Sequence, residues 1–228
     1  MALKKWVKSS FIMGMSLTVL MPHLAFAHGE ETIRSYVARD AVVPLIKPSW
    51  GQFVLHTESL NKLYTLRNHS AIWVDSNGHP NAMAETLKNY LLTAGRHGLE
   101  VSDYWDENVE MLYKAAQANP KNWITFELAA SEAMIRYAQH LSNGRFDPQA
   151  IDVDIKFAAK TFSAYNQLDA AVSYGATSLA SNLEAFAPRH PRYRDLMDIL
   201  ASYKKGNGSW TEIQSPSVAL KLNVKDPT

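Results

Sequence analysis

Between Phe126 and Asn143 apolar residues recur at helical spacing. Phe126, Ala130, Ala133, Tyr137 and Leu141 fall on one face, and Leu128 and Ile135 are apolar on another. A helix that is apolar on more than one face is packed from several sides, so the pattern predicts a central helix. Asn143-Gly144 stops it, because glycine takes the left-handed backbone a helix end needs. Pro148 opens a new segment after a tight corner.

Shorter patterns surround this one. Thr57 reads as the N-cap of a helix with Leu60, Leu63, Tyr64 and Arg67 on one face. Ala71 to Val74 is a brief apolar segment, closed by the turn Asp75-Ser76-Asn77-Gly78. Asn81 caps the next helix, whose buried stripe is Leu87, Tyr90, Leu91 and Ala94. Arg96 and His97 suit its negative end, and Gly98 terminates it. Ser102 caps a third helix, with Trp105, Val109, Leu112 and Ala116 on one side, and Asn119-Pro120 breaks the chain before the central helix. Glu132 and Arg136, four apart, read as an exposed pair.

Beyond Pro148, residues Ile151 to Ile155 alternate like a strand. An isolated strand has nothing to pair with, so this reads as an extended connector. Gln167 to Tyr174 and Ser178 to Ala187 are two short helices separated by Gly175. Pro191 opens a last helix in which Tyr193, Leu196, Leu200 and Tyr203 share a face, with Lys204 and Lys205 at its end. Helices joined by short capped turns predict an all-α fold, a single compact multi-helix domain over 55–205. A loose arm or short helix over 28–54 precedes it, holding an apolar run at Ile33, Tyr36 and Val37, and a tail over 206–228 follows.

Lys4, Lys5 and Lys8, the apolar run Phe11 to Leu20, and Ala25-Phe26-Ala27 together read as a signal peptide over 1–27, cleaved after Ala27. The run is too short for a retained membrane span. The mature protein is therefore expected in an exported compartment. Losing residues 1–27 removes three lysines and no acids, which moves the formal charge from +1 to −2. That balance argues against a nucleic-acid partner, which needs concentrated cations. The chain has no cysteine, which excludes thiolate mechanisms and cysteine-ligated zinc.

Little in the residues points to chemistry. His28, His56, His69, His79, His97, His140 and His190 form no i, i+4 pair and no HExxH. His97, His140 and His190 read as caps at helix ends, so no metal or cofactor is expected. Neither GxSxG nor SxxK occurs, and no glycine-rich phosphate loop is present. Glu127 and Glu132 are candidates for glycoside hydrolysis, but their spacing puts them on different helix faces. Asp103, Asp106, Asp152 and Asp154 read as capping or loop acids. The aromatic residues at helix-face positions, Trp73 and Trp105 among them, read as core, the alternative being a sugar- or partner-binding surface.

Several segments, read together, resemble the scaffold domain of the large L,D-transpeptidases of Gram-negative bacteria. They are LNKLYTLRNHSAIWVDSNG (60–78), GRHGLEVSDYW (95–105), ASEAMIRYAQHLSNGRFDP (130–148), LEAFAPRHPRYRDLMDILASYKK (183–205) and Trp210-Thr211-Glu212-Ile213. The resemblance runs from about residue 55 to 222. In that family the scaffold continues into a catalytic domain whose cysteine attacks the stem peptide. No such residue maps onto this chain, which is expected to be a stand-alone scaffold without a catalytic site. The resemblance implies periplasmic localisation and a partner that is peptidoglycan or a cell-wall enzyme, such as an L,D-transpeptidase in trans. The alternatives are a remnant of a longer L,D-transpeptidase and a helical glycan-acting enzyme using Glu127 or Glu132. Exposed aromatics and arginines flanking the GRFDP corner would carry binding, although Arg145 and Asp147 are expected to pair with local backbone.

Residues 206–228 hold few apolar anchors for their length, which predicts that they do not order on their own. Limited proteolysis is expected to trim the purified protein back to about Lys205; a tail that resists digestion would contradict this.

Overall fold

In the computed structural model, the described residues are 22–38, 57–146, 149, 152, 154 and 161–206, with side chains in the first segment from Gly29 on. They form eight α-helices: α1 (Pro22–Val37), α2 (Thr57–Leu66), α3 (Ala82–Leu91), α4 (Glu107–Ala118), α5 (Trp123–Asn143), α6 (Tyr165–Ser173), α7 (Ala176–Glu184) and α8 (Pro191–Lys205). Short 3-10 turns occupy Ala94–His97, Val101–Asp103 and Pro120–Asn122. Among the described residues there is no strand, only an isolated bridge between Val74 and Pro80. The all-α expectation holds. Pro148, Asp147, the alternating positions 151, 153 and 155, and the tail from residue 207 lie outside the described residues.

Helix α5 is the centre. Phe126, Leu128, Ala129, Ala130, Ala133, Met134, Ile135, Tyr137, Ala138 and Leu141 are all buried, so apolar groups surround most of its circumference. Helices α2, α3 and α4 pack on it; α6 and α7 close the far side through α2 and α3, and α1 lies against α2. The alanines at 129, 130, 133 and 138 allow these close approaches. Gly144 ends the helix where the Asn-Gly pair predicts, at φ +94° but with ψ 155°, so it is a positive-φ stop outside the left-handed helical region.

One loop, 71–81, is pinned between α2 and α5. Ile72, Trp73 and Val74 are buried. The Trp73 and Ile72 amides have no helical partners, and Glu127 of α5 supplies them. Its Oε1 accepts from Ile72 N at 2.5 Å and its Oε2 from Trp73 N at 2.8 Å. Oε1 also accepts from the Tyr64 hydroxyl of α2 at 2.7 Å. Ser131, one turn on, accepts from the Trp73 indole Nε1 at 2.8 Å and sits 2.7 Å from the Tyr64 hydroxyl. The donors thus run Trp73 to Ser131 to Tyr64 and end on the Glu127 carboxylate. At the loop's exit Asn81 Oδ1 caps α3 by accepting from Met83 N and Ala84 N, while its Nδ2 donates to Ile72 O and Val74 O. Gly78 sits at φ +85°, and a Cβ there would come 3.0 Å from Pro120 O, so glycine is required on both counts.

Several local readings need correction. Helix α2 has Thr57 as its first residue rather than its cap. Asp106, not Ser102, caps α4, accepting from Asn108 N and Val109 N; Ser102 belongs to the 3-10 turn before it. Helix α3 ends at Leu91, and Arg96-His97 form a separate 3-10 turn that Gly98 closes at φ +73°. The Glu132–Arg136 pair forms at 3.1 Å, but Glu132 is only 4% exposed. At the start of the arm the helical alternative is the one that forms, with Ile33 and Val37 buried in the core, though the helix begins earlier, at Pro22. Both residues lie beyond the expected cleavage point at Ala27, which itself falls within α1. Helices α6 and α7 each start two residues earlier than expected.

Glu127 is enclosed. Burial holds its carboxyl above the ordinary range, with the Tyr64 hydroxyl and the two amides opposing part of that shift. A Glu127→Gln substitution places an amide donor against backbone or hydroxyl donors. The expected loss is about 2–3 kcal/mol, the cost of a buried unsatisfied polar group, read from urea unfolding at pH 7. A Glu127→Gln protein as stable as wild type would contradict this role of the carboxylate.

Candidate interaction surface

The acids considered for catalysis do not stand free. All three close donors to Glu127 are structural, and no surface reaches it. Glu132 is held by Arg136, and Asp106 is committed to its cap. Asp103 and Arg145 pair across the fold at 2.8 Å, so Arg145 grips a side chain of a distant turn rather than local backbone. Asp152 accepts from Asp154 N at 2.9 Å, a turn contact. Among the described residues no cluster of His, Asp and Glu is arranged to hold a metal ion.

The histidines divide by environment. His190 caps α8 as expected, accepting from Arg192 N at 3.2 Å. His97 and His140 do not cap. His140 Nδ1 lies 2.9 Å from the Tyr104 hydroxyl. The His97 Nδ1 lies 2.9 Å from the Tyr193 hydroxyl, with the rings stacked at 6.0 Å. Trp73 and Trp105 are buried, and both indole N–H groups are used inside, Trp105 donating to Glu110 at 2.8 Å. Neither tryptophan can serve as a binding platform.

What remains exposed lies elsewhere. Helix α8 buries no residue. Its inward side rests Tyr193 on His97 and Leu200 against Gly98, and Lys204 donates to Gly95 O at 2.6 Å. About 100° around the helix, Leu196 (62% exposed), Ile199 (50%) and Tyr203 (72%) make an apolar stripe that covers nothing. The face shared by Tyr193, Leu196, Leu200 and Tyr203 is therefore split between the domain and solvent. At the GRFDP corner Phe146 is 62% exposed, with the Arg145 guanidinium 5.0 Å over its ring. The corner thus presents an exposed aromatic beside an arginine.

A cleft of about 410 Å³ opens between α7 and α8. Arg189 and Arg194 line it, with Tyr193 and Met197 from α8 and Ala185 and Pro188 opposite. At its edge Glu184 is already engaged: it accepts from the Tyr90 hydroxyl at 2.8 Å and pairs with Arg96. Three arginines in six residues, Arg189, Arg192 and Arg194, were the signal that the hydrophobic pattern passed over. They fall between the Pro, His and Tyr positions that carry the family likeness of this segment.

The model of the family described as Scaffold domain matches residues 58–200, more than half of the chain. The chain belongs to the Scaffold domain family. The match agrees with the scaffold domain of L,D-transpeptidases, so this is a scaffold module of that type. No curated protein matches the chain, and no solved structure does. The matched range takes in α2 from its second residue, α3 to α7 in full and most of α8, including the stripe residues Leu196 and Ile199.

The scaffold's α8 hangs on a histidine. Burial holds the His97 imidazole below its ordinary pKa of 6.5, and Arg96 adds to this against the opposing pull of Glu184. His140 is lowered in the same way, by burial first and by Arg136. A depressed histidine favours the fold in its neutral form. Its contribution is complete above pH 6.5 and is lost as pH falls below that value. Wild type is therefore expected to lose stability between pH 7 and pH 5. A His97→Gln variant, which keeps a hydrogen-bonding side chain but cannot titrate, should lose less over the same interval. Equal pH slopes in urea unfolding would show that His97 does not report on the docking of α8.

Proposed function

We propose that this protein is a non-catalytic scaffold and binding module of cell-wall remodelling. It is exported to the periplasm by a signal peptide cleaved after Ala27, and it docks on peptidoglycan or on enzymes that build it. The observation that carries this reading is membership of the Scaffold domain family over 58–200 in a chain with no cysteine. In L,D-transpeptidases the nucleophile is a cysteine, which this polypeptide cannot supply. Its candidate acid Glu127 is sealed inside the core. The features left at the surface are those of recognition: an apolar stripe on α8, an arginine-backed phenylalanine at the corner, and the guanidiniums of Arg189 and Arg194, which have no ion pair among the described residues. Aromatic and arginine side chains of this kind are over-represented among residues that dominate binding energy. Among the described residues no helix is long and apolar enough to cross a membrane.

The module should cosediment with purified sacculi, or recover wall enzymes from periplasmic extract, while releasing and joining no muropeptides. Phe146→Ala combined with Tyr203→Ala should weaken retention several-fold with unfolding free energy changed by no more than about 0.5 kcal/mol, as surface positions allow. Cross-linked or cleaved muropeptides formed by the purified chain would overturn the non-catalytic reading. Recovery of neither wall material nor wall enzymes would overturn the binding one.

A further inference from the structure

The cleft between α7 and α8 has the size and charge of a ligand site rather than of a packing defect. Its volume of about 410 Å³ falls in the range of pockets that hold small molecules or a short peptide. It is too small for a folded partner. Arg189 and Arg194 reach it from opposite ends of the His190-Pro191 corner where α8 begins. Neither guanidinium has an ion pair, hydrogen bond or ring contact within the described fold.

The one acid at the site does not cancel them. The Glu184 carboxylate is matched by Arg96 and fastened by Tyr90, so Arg189 and Arg194 remain as a net charge of two. Asp195 and Asp198, the nearest acids in sequence, form no ion pair with either arginine. Two planar guanidiniums with no internal partner suit carboxylates, which they grip through paired N–H donors. The Ala185, Pro188 and Met197 side of the cleft is apolar and offers small side chains, such as methyl groups, a surface without polar competition.

We propose that this cleft binds a short peptide through its free carboxylates. The proposal deepens the wall-binding reading, and rests on it only in taking the stem peptide of peptidoglycan as the source of that peptide.

The test is calorimetric titration of the full chain with the stem tripeptide alanyl-γ-D-glutamyl-diaminopimelate, and with the same tripeptide amidated at every carboxyl. The free acid should bind, and the amide should bind about tenfold or more weakly, as the loss of charge-assisted pairs implies. Arg189→Ala with Arg194→Ala should cause a similar loss and leave the unfolding midpoint nearly unchanged, because both side chains are exposed and neither guanidinium has an ion pair or hydrogen bond within the described fold. Affinity for the free acid should fall as salt rises. Equal binding of acid and amide, unchanged binding by the double variant, or no heat with millimolar tripeptide would each overturn the proposal. Tighter binding of an all-L acidic peptide than of the tripeptide would overturn the wall source and point to a protein tail. Sacculus cosedimentation by the double variant separates the two levels: retention at wild-type strength leaves the wall-binding reading standing while the cleft fails.

Discussion

A carboxylate in the middle of a helical core holds this domain together. Glu127 is the point at which three elements meet: α5 that carries it, α2 through Tyr64, and the 71–81 loop through two amides. A loop buried between helices would otherwise leave its amides without acceptors, a cost of roughly 1–3 kcal/mol each. Leucine at this position would fill the volume and leave those donors unmatched. Ser131 extends the arrangement by one turn, so that the Trp73 ring can be wholly buried with its N–H satisfied. The large apolar surface of that ring therefore counts toward stability without a polar penalty.

A second knot, aromatic rather than ionic, sits at the other end of α5. Tyr137 meets Tyr90 and Tyr104 edge to face at 5.4 and 5.2 Å, and His97 at 6.4 Å. Tyr90 leads from there to Glu184 and Arg96, and His97 leads to Tyr193. Helix α8 is attached to the domain through this group and through few apolar contacts. The difference in burial is large in energetic terms. A fully buried leucine such as Leu128 is worth several kcal/mol against truncation to alanine, whereas Leu196 and Ile199, 62% and 50% exposed, contribute much less to the fold they sit on. Helix α8 is thus the part of the scaffold that the core supports least, and it is also where the unpaired cations and the apolar stripe lie. A binding element gains from that placement, because its side chains are not already spent on the fold.

Much of the helical frame was legible along the chain because it rests on local rules. The 3.6-residue period marked most of the buried faces of α2, α3, α4 and α5, although Arg67, Ala94 and Trp105 of those stripes fall just outside the helices themselves. Asn81 was readable as a cap because its short amide reaches two amides of its own first turn, and Gly144, Gly175 and Gly98 as stops because they stand at the ends of periodic runs. The reading failed where a side chain's partner is distant in sequence. Asp106 took the cap expected of Ser102 because Val101–Asp103 was drawn into a turn of its own, with Arg145 holding Asp103 from 42 positions away. His97 and His140 looked like caps by position and are tyrosine partners by packing.

Composition and pattern alone determined that this chain is a helical domain built around one helix, that it has no thiol chemistry, and which stretches carry the likeness to L,D-transpeptidase scaffolds. Those properties follow from residue identity and near-neighbour spacing. Only the tertiary structure decided that Glu127 and Glu132 are interior, that both candidate tryptophans are sealed, and that half of the last helix's apolar face is left to solvent. Burial is a sum over neighbours from the whole chain. The same glutamate period that reads as surface on one helix becomes core when two helices and a loop close over it.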